Sequence, residues 1–242
     1  MRRGGVKIFE NFCKTFGKVL ALGLAVGGTF GGGAQATCRQ ALALGLDVSG
    51  SVDAREYRLQ LDGVAGALDD PEVRAALFQM PGAPVALAIY EWSGPAAQRV
   101  LVDWTVISDP AGLAQVIARL RSARRVEGPP STALGSAKAF GAMMLAQQSG
   151  CWRRVLDISG DGESNTGPRP LDVRPPGIDI NGLVIGSAGE AGDLGALSAY
   201  YRAYVIQGPD AFVETAHGFE AYEAAMVRKL KRELQVLTLS SR

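Results

Sequence analysis

Residues 41–51 read ALALGLDVSGS, and the reading of this stretch decides the fold. Residues 41–46 are a short apolar run without a clean period of two, the pattern of a strand buried on both faces, and the run ends at Asp47. Beyond Ser51 the period becomes helical. Asp53 stands where a cap is needed, Glu56 follows three residues later, and Tyr57, Leu61, Val64 and Leu68 share one face. A buried strand that feeds a helix directly is the repeating unit of a parallel α/β sheet.

The unit recurs along the chain. Asp70-Pro71 opens a short helix to Leu77, VALAIYEW from Val85 and RVLVDW from Arg99 read as an antiparallel pair, and Asp109-Pro110 opens a helix that ends before Arg124. RRVEGPPST at 124–132 is a loop, followed by an apolar-faced helix closed by Gly150. RRVLDIS from Arg153, IDINGLVIG at 178–186 and AYVIQG at 203–208 read as strands, and a last helix spans about 219–237 with Phe219, Tyr222, Met226 and Leu230 inward. The alternation predicts a mostly parallel sheet with helices on both faces.

The chain has 242 residues, of which 47% are hydrophobic and 20% charged, so disordered and collagen-like classes are excluded. Nine of its 31 glycines precede residue 34. There, five basic residues against Glu10 lead into the apolar run 19–30 and then Ala34-Gln35-Ala36, which predicts a secretory signal peptide over 1–36, cleaved after Ala36. The run is too short and too rich in glycine for a membrane span, so a periplasmic or secreted domain of residues 37–242 is expected. That domain keeps 20 basic and 23 acidic residues and carries no bulk signal for nucleic acid. It also keeps Cys38 and Cys151, an even pair that in an oxidising compartment reads as one disulfide, the alternative being two buried thiols. His217 is the only histidine, which excludes multi-histidine zinc sites and any histidine-based catalysis that does not use it.

Asp47-Val48-Ser49-Gly50-Ser51 sits where the first strand gives way to its helix, at the sheet edge where open α/β folds bind ligands. One carboxylate and two hydroxyls spaced by two offer hard oxygen donors to one side of a turning backbone. The plain alternative is an Asx turn and helix cap. Thr132, in the loop before a later helix, and Asp161, directly after the strand from Arg153, emerge at the same edge and complete a five-residue oxygen shell.

In that order and placement the residues resemble the von Willebrand factor type A domain, whose metal-ion-dependent adhesion site has the signature D-x-S-x-S, then a distant Thr and a distant Asp. The segments LDVSGSVD, EWSG, CWRR, DISGDGESNTG and INGLVIG are similar to a bacterial secreted branch of that family with no assigned function. The resemblance covers about residues 38–235. It implies a doubly wound six-stranded sheet with one antiparallel edge strand, and it gives Asp47, Ser49, Ser51, Thr132 and Asp161 the five site roles. It also sets the first strand beside the strand from Arg153. Cys38 and Cys151 then lie at the amino ends of neighbouring strands, ~4.8 Å apart, within a disulfide's reach.

Oxygen ligands favour Mg²⁺ or Mn²⁺, with Ca²⁺ the alternative. Two carboxylates leave such an ion nearly neutralised and open to one more anion, which in the family is an acidic side chain of a partner protein. The expectation is therefore a metal-dependent protein-binding module and not an enzyme, with Arg124, Arg125, Glu163 and Asn165 as the partner-binding rim and Trp92 near the site. A metal-assisted hydrolase is the rival reading, but there is no G-x-S-x-G elbow and no phosphate-cradling loop, and its candidate acid, Asp157, lies inside a strand. A disulfide-stapled structural module with an empty site is the third.

Overall fold

Along β1 (Gln40–Asp47) side-chain size alternates: Leu42, Leu44 and Leu46 face one way, while Ala41, Ala43 and Gly45 face the other. The period of two is one of size and not of polarity, so hydropathy hides it. The computed structural model describes residues 38–186 and 191–235. After β1 come α1 (Ala54–Asp69), α2 (Pro71–Phe78), β2 (Val85–Trp92), β3 (Gln98–Ile107), α3 (Pro110–Ser122), α4 (Leu134–Ala146), β4 (Arg153–Gly160), β5 (Asp179–Gly186), α5 (Ala191–Tyr200), β6 (Val213–His217) and α6 (Tyr222–Glu233).

The strands form one sheet in the order β3-β2-β1-β4-β5-β6, parallel throughout except for the antiparallel edge strand β3. The leucine face of β1 lies on the side covered by α1, α2, α3 and α6, and the small-residue face lets α4 approach closely, with α5 on the same side over β5. Chain order reverses between β1 and β4, and the crevice at their carboxyl ends is the ligand position of open α/β sheets.

Local signals act as the sequence requires. Asp53 and Glu56 form a reciprocal capping box, each side chain accepting the other's backbone N–H at 2.8 Å. Tyr57, Leu61, Val64 and Leu68 are buried. Glu91, the acidic residue of EWSG, is buried and takes the Tyr57 hydroxyl at 2.6 Å and the Arg99 guanidinium at 2.7 Å.

The stretch 203–208 differs from its strand expectation. It belongs to a π-helical turn, Tyr201–Val205, that continues α5, and only Gln207 pairs with the sheet, in a single antiparallel bridge to Ile180. Tyr201 and Val205, four residues apart, are both fully buried, so the apolar spacing was that of a helical turn. The sixth strand is β6, VETAH, a half-buried edge segment with little apolar content. The last helix begins with a 3₁₀ turn at Phe219–Ala221 and ends at Glu233 with Leu234 as its cap, short of the expected end near 237.

Cys38 and Cys151 are bonded, with Cα atoms 4.4 Å apart and a sequence separation of 113. Trp152 N–H donates to Cys38 C=O at 2.9 Å, so the bridge closes the amino edge of β1 and β4, opposite the crevice. The export signal expected over 1–36 lies outside the described residues. Among the described residues no helix is long and apolar enough to cross a membrane.

Candidate metal site at the sheet edge

β1 ends at Asp47, and the chain turns at once because the Asp47 carboxylate captures the next free donor, Ser49 N–H, at 2.8 Å from Oδ1. The turn is held from several sides. Val48 N–H donates to Trp92 C=O at 2.9 Å, Gln60 Nε2 donates to Asp47 C=O at 2.9 Å, and Gly50 N–H donates to Pro130 C=O at 2.9 Å. Gly50 is required by that last contact, since a methyl group there would lie 2.7 Å from Pro130 Cβ. These bonds aim the hydroxyls. Ser49 Oγ lies 3.3 Å from Ser51 Oγ, and Ser51 donates to Asp161 Oδ1 at 2.8 Å.

Asp47 and Ser49 are fully buried, Asp161 is half-buried and Ser51 is exposed, so the group is reached from one side. Burial, then the charge of Asp161, pushes the Asp47 carboxyl up to about 7, with the Ser49 hydrogen bonds pulling the other way. Burial likewise raises Asp161 against the pull of the Ser51 hydroxyl. Asp47 Oδ2 is buried and has no protein partner among the described residues. Two crowded carboxylates, one orphaned oxygen and two hydroxyls are a donor set suited to a hard cation. Among the described residues no three His, Cys, Asp or Glu side chains cluster, so the set depends on its hydroxyls.

Thr132 is buried and clamped through its backbone. Its N–H donates to Asn165 Oδ1 at 2.9 Å, and its C=O accepts Asn165 N–H at 2.9 Å and the Ser164 hydroxyl at 3.3 Å. It thus sits between two ties, Pro130 to the D-x-S-x-S loop and Asn165 to the segment after Asp161. Its hydroxyl makes no hydrogen bond among the described residues.

The four rim residues divide. Glu163 is exposed and lines a cleft of about 550 Å³ with Ser51, Asp161, Arg55 and Glu220. Arg124 is exposed, and among the described residues only its carbonyl is engaged, by Arg99 at 2.9 Å. Asn165 is the tether of Thr132. Arg125 turns inward, its guanidinium donating to the carbonyls of Val48, Ser49 and Val52, and so braces the D-x-S-x-S loop. Asp157 faces α6, 3.0 Å from the fully buried Lys229, which also holds Glu233 at 2.9 Å. His217 is exposed at the end of β6. Sequence reasoning passed over Gln60, the bracing role of Arg125, and Tyr201. The only trace of Tyr201 was a pair of glycines inside buried strands, Gly160 and Gly182.

Comparison with known proteins bears on this geometry. The model of a family described as "Protein of unknown function (DUF1194)" matches residues 37–238. No curated protein matches the chain in sequence. Solved structures match it in fold. They include proximal thread matrix protein 1 from the mussel byssus with a zinc-occupied MIDAS motif (14% identity, TM-score 0.56, covering 82% of this chain and 46% of that one). The pilus adhesin SpaC of Lactobacillus rhamnosus GG, in its open conformation, matches at 15% identity and TM-score 0.58, covering 83% and 30%. A von Willebrand factor type A protein of Catenulispora acidiphila matches at 15% identity and TM-score 0.52, covering 81% and 42%. At these identities the likeness establishes the fold, that of the von Willebrand factor A domain. The chain spans less than half the length of each of these three structures.

Proposed function

The chain belongs to the DUF1194 family, and from the geometry of its sheet edge we infer that it is a divalent-cation-dependent protein-binding module. The observation that carries this reading is the chain of contacts from Asp47 through Ser49 and Ser51 to Asp161, with Asp47 Oδ2 buried and without a protein partner among the described residues. Asp47, Ser49, Ser51, Thr132 and Asp161 would hold the ion. When bound, the ion supplies a Lewis-acidic position for one more anionic ligand, and an acidic side chain of a partner protein fits that need. Oxygen donors favour Mg²⁺ or Mn²⁺ over softer ions, with Ca²⁺ the alternative.

The fold neighbours support the class of activity, since one holds zinc at its MIDAS motif and another is a pilus adhesin. In this proposal the protein is a binding module and not an enzyme. Arg124 and Glu163 face the partner, while Arg125 and Asn165 keep the loops in place. The proposal includes export: residues 1–36 direct the chain out of the cytoplasm and are removed, and the Cys38–Cys151 bridge supports an oxidising destination such as the periplasm.

Calorimetric titration of Mg²⁺ and Mn²⁺ into residues 37–242, beside an Asp47→Ala variant, tests the reading. One ion per chain, lost in the variant, is the expected result. No heat in either protein at millimolar metal overturns it in favour of a disulfide-stapled structural module.

A further inference from the structure

Two glycines in neighbouring strands clear the space for one tyrosine ring. A methyl group on Gly182 of β5 would lie 2.8 Å from Tyr201 Cδ1, and one on Gly160 of β4 would lie 2.5 Å from the Tyr201 hydroxyl. Tyr201 opens the π-turn after α5, a local widening of the helix that often marks a functional position, and the ring is fully buried. The same methyl on Gly160 would lie 3.0 Å from Asp47 Oδ2 and 3.4 Å from Trp92 Cζ2. Trp92 is the register partner of Asp47 on β2. Three side chains therefore converge behind the metal loop.

Each brings a buried polar atom without a protein partner among the described residues: the Tyr201 hydroxyl, Trp92 Nε1 and Asp47 Oδ2. Leaving such an atom unsatisfied is costly, so orphans seldom gather by accident. These three are complementary. An indole N–H only donates, a carboxylate only accepts, and a phenol does both. Burial and the charges of Asp47 and Asp161 hold the Tyr201 phenol well above its ordinary range, so it keeps its proton. Asp47 Oδ1 already accepts Ser49 N–H, which leaves Oδ2 as the oxygen facing the cluster.

We propose that Tyr201 is a positioning residue of the metal site: its hydroxyl and the Trp92 indole N–H support Asp47 Oδ2 through one enclosed water molecule and fix the carboxylate's orientation. Such a water accepts from the indole and the phenol and donates to Oδ2, three bonds being the usual number for a buried water. Each carboxylate oxygen has a second lone pair for a cation. Groups that orient a ligand in this way are generally worth about 10- to 100-fold in metal affinity. The affinity part of the inference rests on Asp47 being a metal ligand, whereas the contact between Tyr201 and Asp47 does not.

The test is a double-mutant cycle of Tyr201→Phe and Asp47→Asn, read by thermal unfolding in chelator, with a Mn²⁺ titration of the wild type and Tyr201→Phe. Phenylalanine fills the same cavity. The expected result is that Tyr201→Phe lowers the melting temperature when Asp47 is intact and hardly changes it in the Asp47→Asn background, and that it weakens Mn²⁺ binding about 10-fold. Additive melting shifts overturn the contact, and unchanged Mn²⁺ affinity overturns the positioning role. If the wild type takes up no Mn²⁺, the metal reading falls while the cycle still decides the contact. Should Tyr201→Phe fail to fold, a slowly exchanging phenolic proton in the wild-type NMR spectrum, lost in Asp47→Asn, supports the contact, and its absence overturns it.

Discussion

The Ser51 hydroxyl donates a 2.8 Å hydrogen bond to Asp161 Oδ1 across 110 residues of sequence. It joins the loop after β1 to the loop after β4 at the point where the sheet reverses its chain order. The fold thereby brings the two halves of the donor set together. The consequence is two carboxylates in a partly enclosed place: burial raises the proton affinity of both, and the charge of Asp161 adds to the rise at Asp47.

That burial has a pH signature. The Asp47 carboxyl is pushed up to about 7 in the folded protein from 3.8, so between those values the folded state binds more protons than the unfolded one and stability falls as pH rises. The slope is at most about 1.4 kcal/mol per pH unit for one such group. Without metal, the melting temperature should decline from about pH 4 to about pH 7, and Asp47→Asn should flatten part of the decline. Mg²⁺ should restore stability at the upper end, because the ion replaces the proton. Asp157, raised by burial and by the charge of Glu233 against the pull of Lys229, contributes a slope of the same sign that Asp47→Asn leaves in place. Melting temperatures that climb over this range would refute the account.

Gly160 is fixed by its surroundings. Alanine there meets the Tyr201 hydroxyl at 2.5 Å and Asp47 Oδ2 at 3.0 Å. Urea unfolding should register a loss of about 1–3 kcal/mol, and the same variant should bind Mn²⁺ more weakly. Gly150, with nothing within 4 Å of an added methyl, is the control, and its alanine variant should stay within about 0.5 kcal/mol of wild type. Equal losses at the two positions would contradict the crowding behind Asp47.

The adjacent arginines Arg124 and Arg125 should separate by phenotype. Arg125→Ala removes the brace under the carbonyls of Val48, Ser49 and Val52, and should lower stability by about 1–3 kcal/mol together with metal affinity. Arg124→Ser should leave both unchanged and instead slow association with an acidic partner, flattening its salt dependence. Calorimetry measures the first and surface-plasmon kinetics the second. A shared phenotype would mean that the two residues do one job.

Reduction of Cys38–Cys151 releases a constraint across 113 residues. On the loop-entropy account this lowers stability by about 4–5 kcal/mol. Metal affinity should survive in the reduced, still-folded protein, because the bridge and the donor set occupy opposite edges of the sheet. Loss of Mn²⁺ binding on reduction, before unfolding, would show that the two edges communicate.

Much of this protein was legible as a string. Asp47, Ser49 and Ser51 stand within five residues, so their joint aim follows from one turn of backbone, and the capping box at Asp53 and Glu56 is equally local. The strand expected at 203–208 failed for an equally physical reason. A six-residue apolar stretch does not reveal its period, and only packing decided that Tyr201 and Val205 would share a helical face.

The rim shows where local reading ends. Arg125 and Asn165 lie in polar loops whose sequence points to a partner-facing rim, yet one braces the D-x-S-x-S loop and the other clamps Thr132. Which backbone groups a loop leaves unsatisfied is set by the loops that pack against it.

The sequence by itself determined the alternation of strands and helices, the residues of the D-x-S-x-S turn and the pair of cysteines, because each rests on neighbours in the chain or on counting. Only the tertiary structure decided that Asp161 meets Ser51, that Arg125 turns inward, and that Tyr201 reaches behind Asp47 through the gaps left by Gly160 and Gly182. Those contacts join residues distant in the chain, and their geometry exists only once the sheet has set its strand order and the helices have closed over it.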